Sequence, residues 1–160
     1  MSDTTTTSGG DVGSIEPSRP SDRVRALDRL VGTWTVTGGA EGTVRYEWMR
    51  GGHFLVQHVE LEQDGERVDG FEVIGHLHPF GEPVGDEIVS RFYDSAGNTF
   101  DYVYELEGDV LTIWAGAQGS PAYFRGSFDD GDRTMTGEWV YPGGGGYSST
   151  MTRRQPPAAP

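Results

Sequence analysis

The chain has 160 residues, and its 12 basic residues, all arginine, face 25 acidic ones for a formal net charge of -13. That length suits one domain with a sizeable core, and so acidic a surface repels phosphate backbones and anionic headgroups, which argues against nucleic-acid and membrane-surface partners. With no cysteine in the chain, disulfides, thiolate nucleophiles and thiolate metal sites are excluded.

Residues 1–20 are rich in Thr, Ser, Gly and Pro, offer almost nothing to bury, and read as a disordered tail. Residues 1–19 contain no apolar signal core and no later run reaches the length of a membrane span, so a soluble, cytoplasmic protein is expected. Ser21, after Pro20, suits the N-cap of a short helix in which Val24, Leu27 and Leu30 recur at helical spacing. From Gly32 onward the period changes to two, and Gly- and Asp-rich turn signals arrive about every ten residues. Ten strands are predicted, starting near residues 32, 42, 54, 67, 87, 99, 110, 121, 134 and 146. This rhythm predicts an all-β fold, an antiparallel up-and-down barrel of about ten strands over residues 21–154, with a second disordered tail at 155–160.

Two-residue loops fix which residues oppose each other. A turn at Gly51-Gly52 sets Trp48 opposite Leu55 and Tyr46 opposite Gln57; a turn at Asp64-Gly65 then sets Gln57 opposite Glu72 and Leu55 opposite Ile74. The other face of this sheet carries Phe54, Val56, Phe71 and Val73, so the inward side between residues 42 and 78 is left open. Around Ser95–Asn98 the same reasoning sets Arg91 opposite Tyr102 and Tyr93 opposite Phe100, with Tyr104 across from Ile113. The last hairpin, turning at Asp130-Gly131, puts Phe124 with Trp139.

A barrel of ten strands is wider than its own side chains easily fill, so an internal cavity is expected. On this register Arg91 sits on an aromatic inner face and is the candidate anchor for a ligand carboxylate or enolate, since a guanidinium offers two-point binding. Tyr93 and Tyr102 join it, and Tyr104, Ile113, Phe124 and Trp139 form the wall. The bland alternatives are a structural ion pair of Arg91 with Glu72 or Glu105, or simple exposure if the register is shifted. The expected function is binding of a hydrophobic or amphipathic small molecule with an anionic or hydroxylated end.

Glu72 and His58 are the weaker catalytic candidates: a glutamate buried among Tyr46, Gln57 and Trp48 would have a raised pKa and could act as a general base. That would make the barrel an enzyme, a cyclase, isomerase or hydrolase of a natural-product-like molecule. A third alternative is a solidly filled barrel serving as an interaction module. His53, His76 and His78 cluster near one rim, but a zinc or iron site needs three or four converging ligands, and no metal is expected. Trp34 and Arg153, on the first and last strands, are placed to stack where the barrel closes.

Three segments, Leu30-Val31-Gly32-Thr33-Trp34, Phe92-Tyr93-Asp94 with the following Gly97-Asn98, and Tyr147-Ser148-Ser149-Thr150-Met151-Thr152-Arg153, resemble the lipocalin-like uncharacterised bacterial proteins of the calycin superfamily over about residues 22–154. The resemblance implies a barrel of eight to ten strands with an interior cavity. The neighbouring nitrobindins open with G-x-W-x-G-x-G and bind haem through a late histidine; here Val36 stands at the middle glycine and no histidine follows His78, so neither haem nor another cofactor is expected. Arg91-Phe92-Tyr93 is similar in chemistry to the Arg-x-Tyr carboxylate anchor of fatty-acid-binding barrels, though on a middle strand. Homodimerisation is left open.

Overall fold

The computed structural model describes residues 19–129 and 131–154, so the proposed tails lie outside the described residues except for Arg19 and Pro20. Ser21 caps helix α1 (Asp22–Arg25), its hydroxyl accepting from the Val24 amide at 3.1 Å, and a tighter helical turn over Ala26–Leu30 continues it. The apolar spacing read in the sequence makes one inner face here, because Val24, Leu27 and Leu30 are each 1% exposed.

Ten antiparallel strands follow: β1 (Gly32–Gly38), β2 (Glu41–Trp48), β3 (Leu55–Gln63), β4 (Glu66–His76), β5 (Ile88–Asp94), β6 (Thr99–Glu107), β7 (Val110–Ala115), β8 (Tyr123–Phe128), β9 (Thr134–Val140) and β10 (Tyr147–Arg153). Each pairs with its chain neighbours and β10 returns to β1, closing the barrel and leaving no free sheet edge. Asp64 and Gly65 both take positive φ, 53° and 79°, as a two-residue turn matched to strand twist requires. The register of β2, β3 and β4 follows, with Tyr46 opposite Gln57 and Gln57 opposite Glu72. Leu55, Gln57, Val59, Glu72 and Ile74 point inward, whereas Phe71, on the other face, is 44% exposed.

The β5–β6 register differs by one residue from the expected one. Asp94 accepts from the amides of Ala96 and Asn98 at 3.0 and 2.9 Å, and its own amide donates to the Asn98 carbonyl. Gly97 sits at φ 89°, so the loop is Ser95-Ala96-Gly97, three residues with a left-handed glycine, rather than an even-numbered turn. Arg91 therefore opposes Asp101 and Ser90 opposes Tyr102. Because strand side chains alternate, this single step moves Arg91 and Tyr93 to the outside and Ser90 to the inside.

The helical segment plugs one end of the barrel. The Trp48 indole donates to Asp28 at 2.7 Å, Arg29 bridges Asp109 and Asp132 at 2.8 Å each, and Ser21 Oγ meets His76 Nε2 at 2.7 Å. Beneath the plug, Trp34 is fully buried and donates to the Leu30 carbonyl at 2.8 Å. The Arg153 guanidinium lies 4.2 Å over the Trp34 ring and donates to the carbonyls of Asp132, Val31 and Arg29. Gly32, at φ 127°, makes this possible: a Cβ there would meet the Arg153 guanidinium at 2.7 Å. No described helix is long and apolar enough to cross a membrane.

Candidate functional site

A cavity of about 180 Å³ occupies the barrel interior away from the plug. Ala40, Gln63 and Tyr147, which flank the β1–β2, β3–β4 and β9–β10 turns, belong to its lining and place its mouth at that end. The solid-barrel expectation fails on this space.

The two halves of the wall differ in chemistry. From β7 to β10 and onto β1 the lining is mostly apolar, with Ile113, Phe124, Met135, Trp139, Met151 and Val36 beside Tyr147 and Ser149. Phe124 and Tyr102 both tilt against Trp139, with ring centroids 5.5 and 5.9 Å away. From β2 to β6 the wall carries a polar belt, Tyr46, Gln57, Glu72, Ser90, Tyr102 and Tyr104, one or two side chains from each strand.

Glu72 is the centre of the belt and is 3% exposed. The Tyr104 hydroxyl donates to both carboxylate oxygens at 2.9 Å, and the Ser90 hydroxyl donates to Oε1. Gln57 donates to the Tyr46 hydroxyl at 2.8 Å. Burial pushes the Glu72 carboxyl up to about 7, and the bonds from Ser90 and Tyr104 hold it from rising further. Burial first, and the Glu72 charge second, push the phenols of Tyr46, Tyr102 and Tyr104 well above the ordinary range, so all three remain protonated donors. Among the described lining residues Glu72 is the only acid, and neither arginine nor histidine takes part.

Of the expected ligand-binding residues, Tyr102, Tyr104, Ile113, Phe124 and Trp139 line this cavity together. Arg91 does not. It stands on the outer wall, 57% exposed, and pairs with Asp101 at 2.7 Å. Tyr93 is also outside, stacked on Phe71 at 5.6 Å. The expected anchor for an anionic ligand end is thus displaced by the β5–β6 turn, and the described lining residues offer such an end no cation. The two catalytic candidates part company as well: Glu72 is inside, while His58 lies on the outer face, 2.9 Å from Glu47.

At the plugged end the His53 and His78 rings stand 6.4 Å apart, and His76 is engaged by Ser21 and the Glu87 carbonyl. No group of three or more His, Asp or Glu side chains among the described residues is arranged to hold a metal ion.

Sequence reasoning missed Ser90, Met135, Met151 and Ser149 as lining or site residues. Ser90 was within reach, because reading Gly97 as the left-handed residue of a three-residue loop places Ser90 opposite Tyr102 inside the barrel. No protein-family model matches the chain, and no curated protein matches it either.

Proposed function

We propose that this is a binding barrel of the calycin type that holds one small, mostly apolar molecule, its body against the β7–β10 wall and an O–H or N–H group on Glu72. One observation carries the reading: a buried carboxylate, already oriented by Tyr104 and Ser90, lines a cavity whose facing wall is mostly apolar. Such sites fix a ligand's orientation with few polar groups set in an apolar wall. The size supports it too, since an apolar cavity of about 150 Å³ admits benzene and this one is about 180 Å³. One ring with a short polar arm fits.

Phenethyl alcohol is a suitable probe, followed by the change in tryptophan emission, with Trp139 the one tryptophan among the described lining residues. Saturable one-site binding is expected, weakened at least about tenfold by Glu72→Leu, because a hydrogen bond to a charged group contributes roughly 1.5–3 kcal/mol. Arg91→Ala, on the outer wall, leaves the affinity unchanged. The reading fails if neither the alcohol nor its amine and acid counterparts, phenethylamine and phenylacetate, bind saturably.

The near-neutral pKa of Glu72 inside a cavity favours a second reading, proton transfer on a small carbonyl compound. Glu72 would take a proton from the carbon beside the carbonyl while a phenol of the belt donates to the oxygen, then return it. Benzylacetone in deuterated water tests this by nuclear magnetic resonance: exchange at that carbon, lost in Glu72→Gln, is the expected signal. Exchange no faster than in buffer removes the catalytic reading.

A further inference from the structure

We propose that the molecule held in the barrel is an organic cation, a small arylalkyl amine whose ammonium group sits between the Glu72 carboxylate and the rings around it. The inference rests on the cavity-binding reading and names its ligand class. Three features of the interior lead to it.

The first is charge. Glu72 has hydrogen-bond donors at Ser90 and Tyr104 but no cation among the described lining residues. A buried carboxylate without a counter-charge is costly, and hydroxyl donors offset that cost in part. A neutral alcohol adds one more hydrogen bond and leaves the charge unbalanced. An ammonium group balances it, and a second anion would be repelled.

The second is the surrounding aromatic surface. Tyr102, Trp139 and Phe124 meet at interplanar angles of 57° and 49°, forming a concave set of rings rather than a parallel stack. Ring faces attract cations, most strongly when water is excluded. A carboxylate facing such rings across one cavity therefore distinguishes an ammonium group from a hydroxyl group twice over.

The third is the approach. Asp64 stands at the β3–β4 turn close enough to Tyr147, in the lining, to help push that phenol up to about 12, after burial and Tyr141. Glu41, Glu60 and Glu62 line a shallow depression on the neighbouring outer wall, where Arg67 is one cation beside the three acids. Cations are drawn to such a surface and anions are turned away.

Binding is coupled to a proton. The groups facing Glu72 are Tyr46 from β2, Gln57 from β3, Ser90 from β5, and Tyr102 and Tyr104 from β6; the far wall from β7 to β9 is not ionisable, and Tyr147 lies on β10. The phenols stay protonated near neutrality, so Glu72 alone changes charge there. The amine stays protonated throughout that range. Its affinity must rise with pH until Glu72 has released its proton.

Isothermal titration of the unmodified protein with phenethylamine, phenethyl alcohol and phenylacetate tests the inference. At about pH 8 the amine should bind at least about tenfold more tightly than the alcohol, and phenylacetate weakest of all. On lowering the pH to about 6 the amine affinity should fall about tenfold, as protonation of a carboxyl with a pKa of about 7 requires. Nearly one proton should be released per amine bound at the lower pH, read from buffers of different ionisation heat. Glu72→Gln should remove both the amine preference and the pH slope; if that variant does not fold, the pH series on the unmodified protein decides. Alcohol binding as tight as amine binding at about pH 8, or amine affinity that is flat across the range, overturns the cation assignment and leaves the cavity reading standing. If none of the three binds, both fall together.

Discussion

Glu72 is the residue whose surroundings are furthest from what its sequence neighbours suggest. It lies between Phe71 and Val73, both turned to the outer face, and is itself the buried one of the three. The strand could have been built the other way round, with an apolar interior and a solvated glutamate. The chosen arrangement has a thermodynamic signature. The carboxyl titrates near 4.5 in its ordinary state and about 7 in the fold. Between those values the folded chain keeps a proton that the unfolded chain has released, so each rise in pH shifts the equilibrium toward unfolding. The contribution is complete below about 4.5 and lost above about 7, and amounts to something on the order of 3 kcal/mol. Asp94, Asp101 and Asp129 are shifted below their ordinary values by their hydrogen-bond partners, so they act at lower pH and leave this window clear. Thermal unfolding followed by circular dichroism should show the protein losing several degrees of Tm between about pH 5 and pH 7.5, with Glu72→Gln nearly flat over the same range. Equal slopes for the two proteins would mean that Glu72 is not buried as a shared proton site.

At the scale of elements, the turns made most of the fold legible. Strand starts near 32, 99, 110 and 134 coincide with those observed, and the others differ by one or two residues, because glycines and aspartates mark places where a hairpin must reverse. Loop residue count was harder to read than loop position. The even loop taken around Ser95–Asn98 is a three-residue loop, and that unit of difference removed Arg91 and Tyr93 from the interior while admitting Ser90. Glu72 could not be placed from pattern either, since both faces of β3 and β4 carry apolar side chains. The wall from β6 to β9 was more readable because Glu105, Thr112, Arg125 and Glu138 mark its outer face, away from the buried Tyr104, Ile113 and Phe124, although Trp114 and Tyr123 share that outer face. The β1–β10 seam gives an element-level prediction. Arg153 covers the Trp34 ring and closes three carbonyls from the plug and the β8–β9 loop, so Arg153→Ala should cost about 2–4 kcal/mol through lost ring contact and unpaired carbonyls. Arg153→Lys should recover only a minor part in urea unfolding, because an ammonium lacks the fork that reaches separate carbonyls. Full recovery by lysine would reduce the seam to a simple charge effect.

The whole molecule adds a long-range field to the local site. With a formal net charge of -13 and Asp64 near the mouth, the chain carries a negative field that acts on a cation before it makes any contact. That field reaches roughly 30 Å at about 0.01 M salt and about 8 Å at 0.15 M. It acts on approach, whereas the Glu72 contact acts after arrival in a site screened by the barrel wall. The two can be separated kinetically. Stopped-flow mixing, read from tryptophan emission, should show the phenethylamine association rate falling several-fold between those salt concentrations, with its dissociation rate little changed. The phenethyl alcohol association rate should stay constant, since an uncharged molecule feels no steering. If salt instead speeds amine dissociation and leaves association alone, the attraction resides in exposed contacts at the rim. The ammonium group would then lie outside the barrel, away from Glu72.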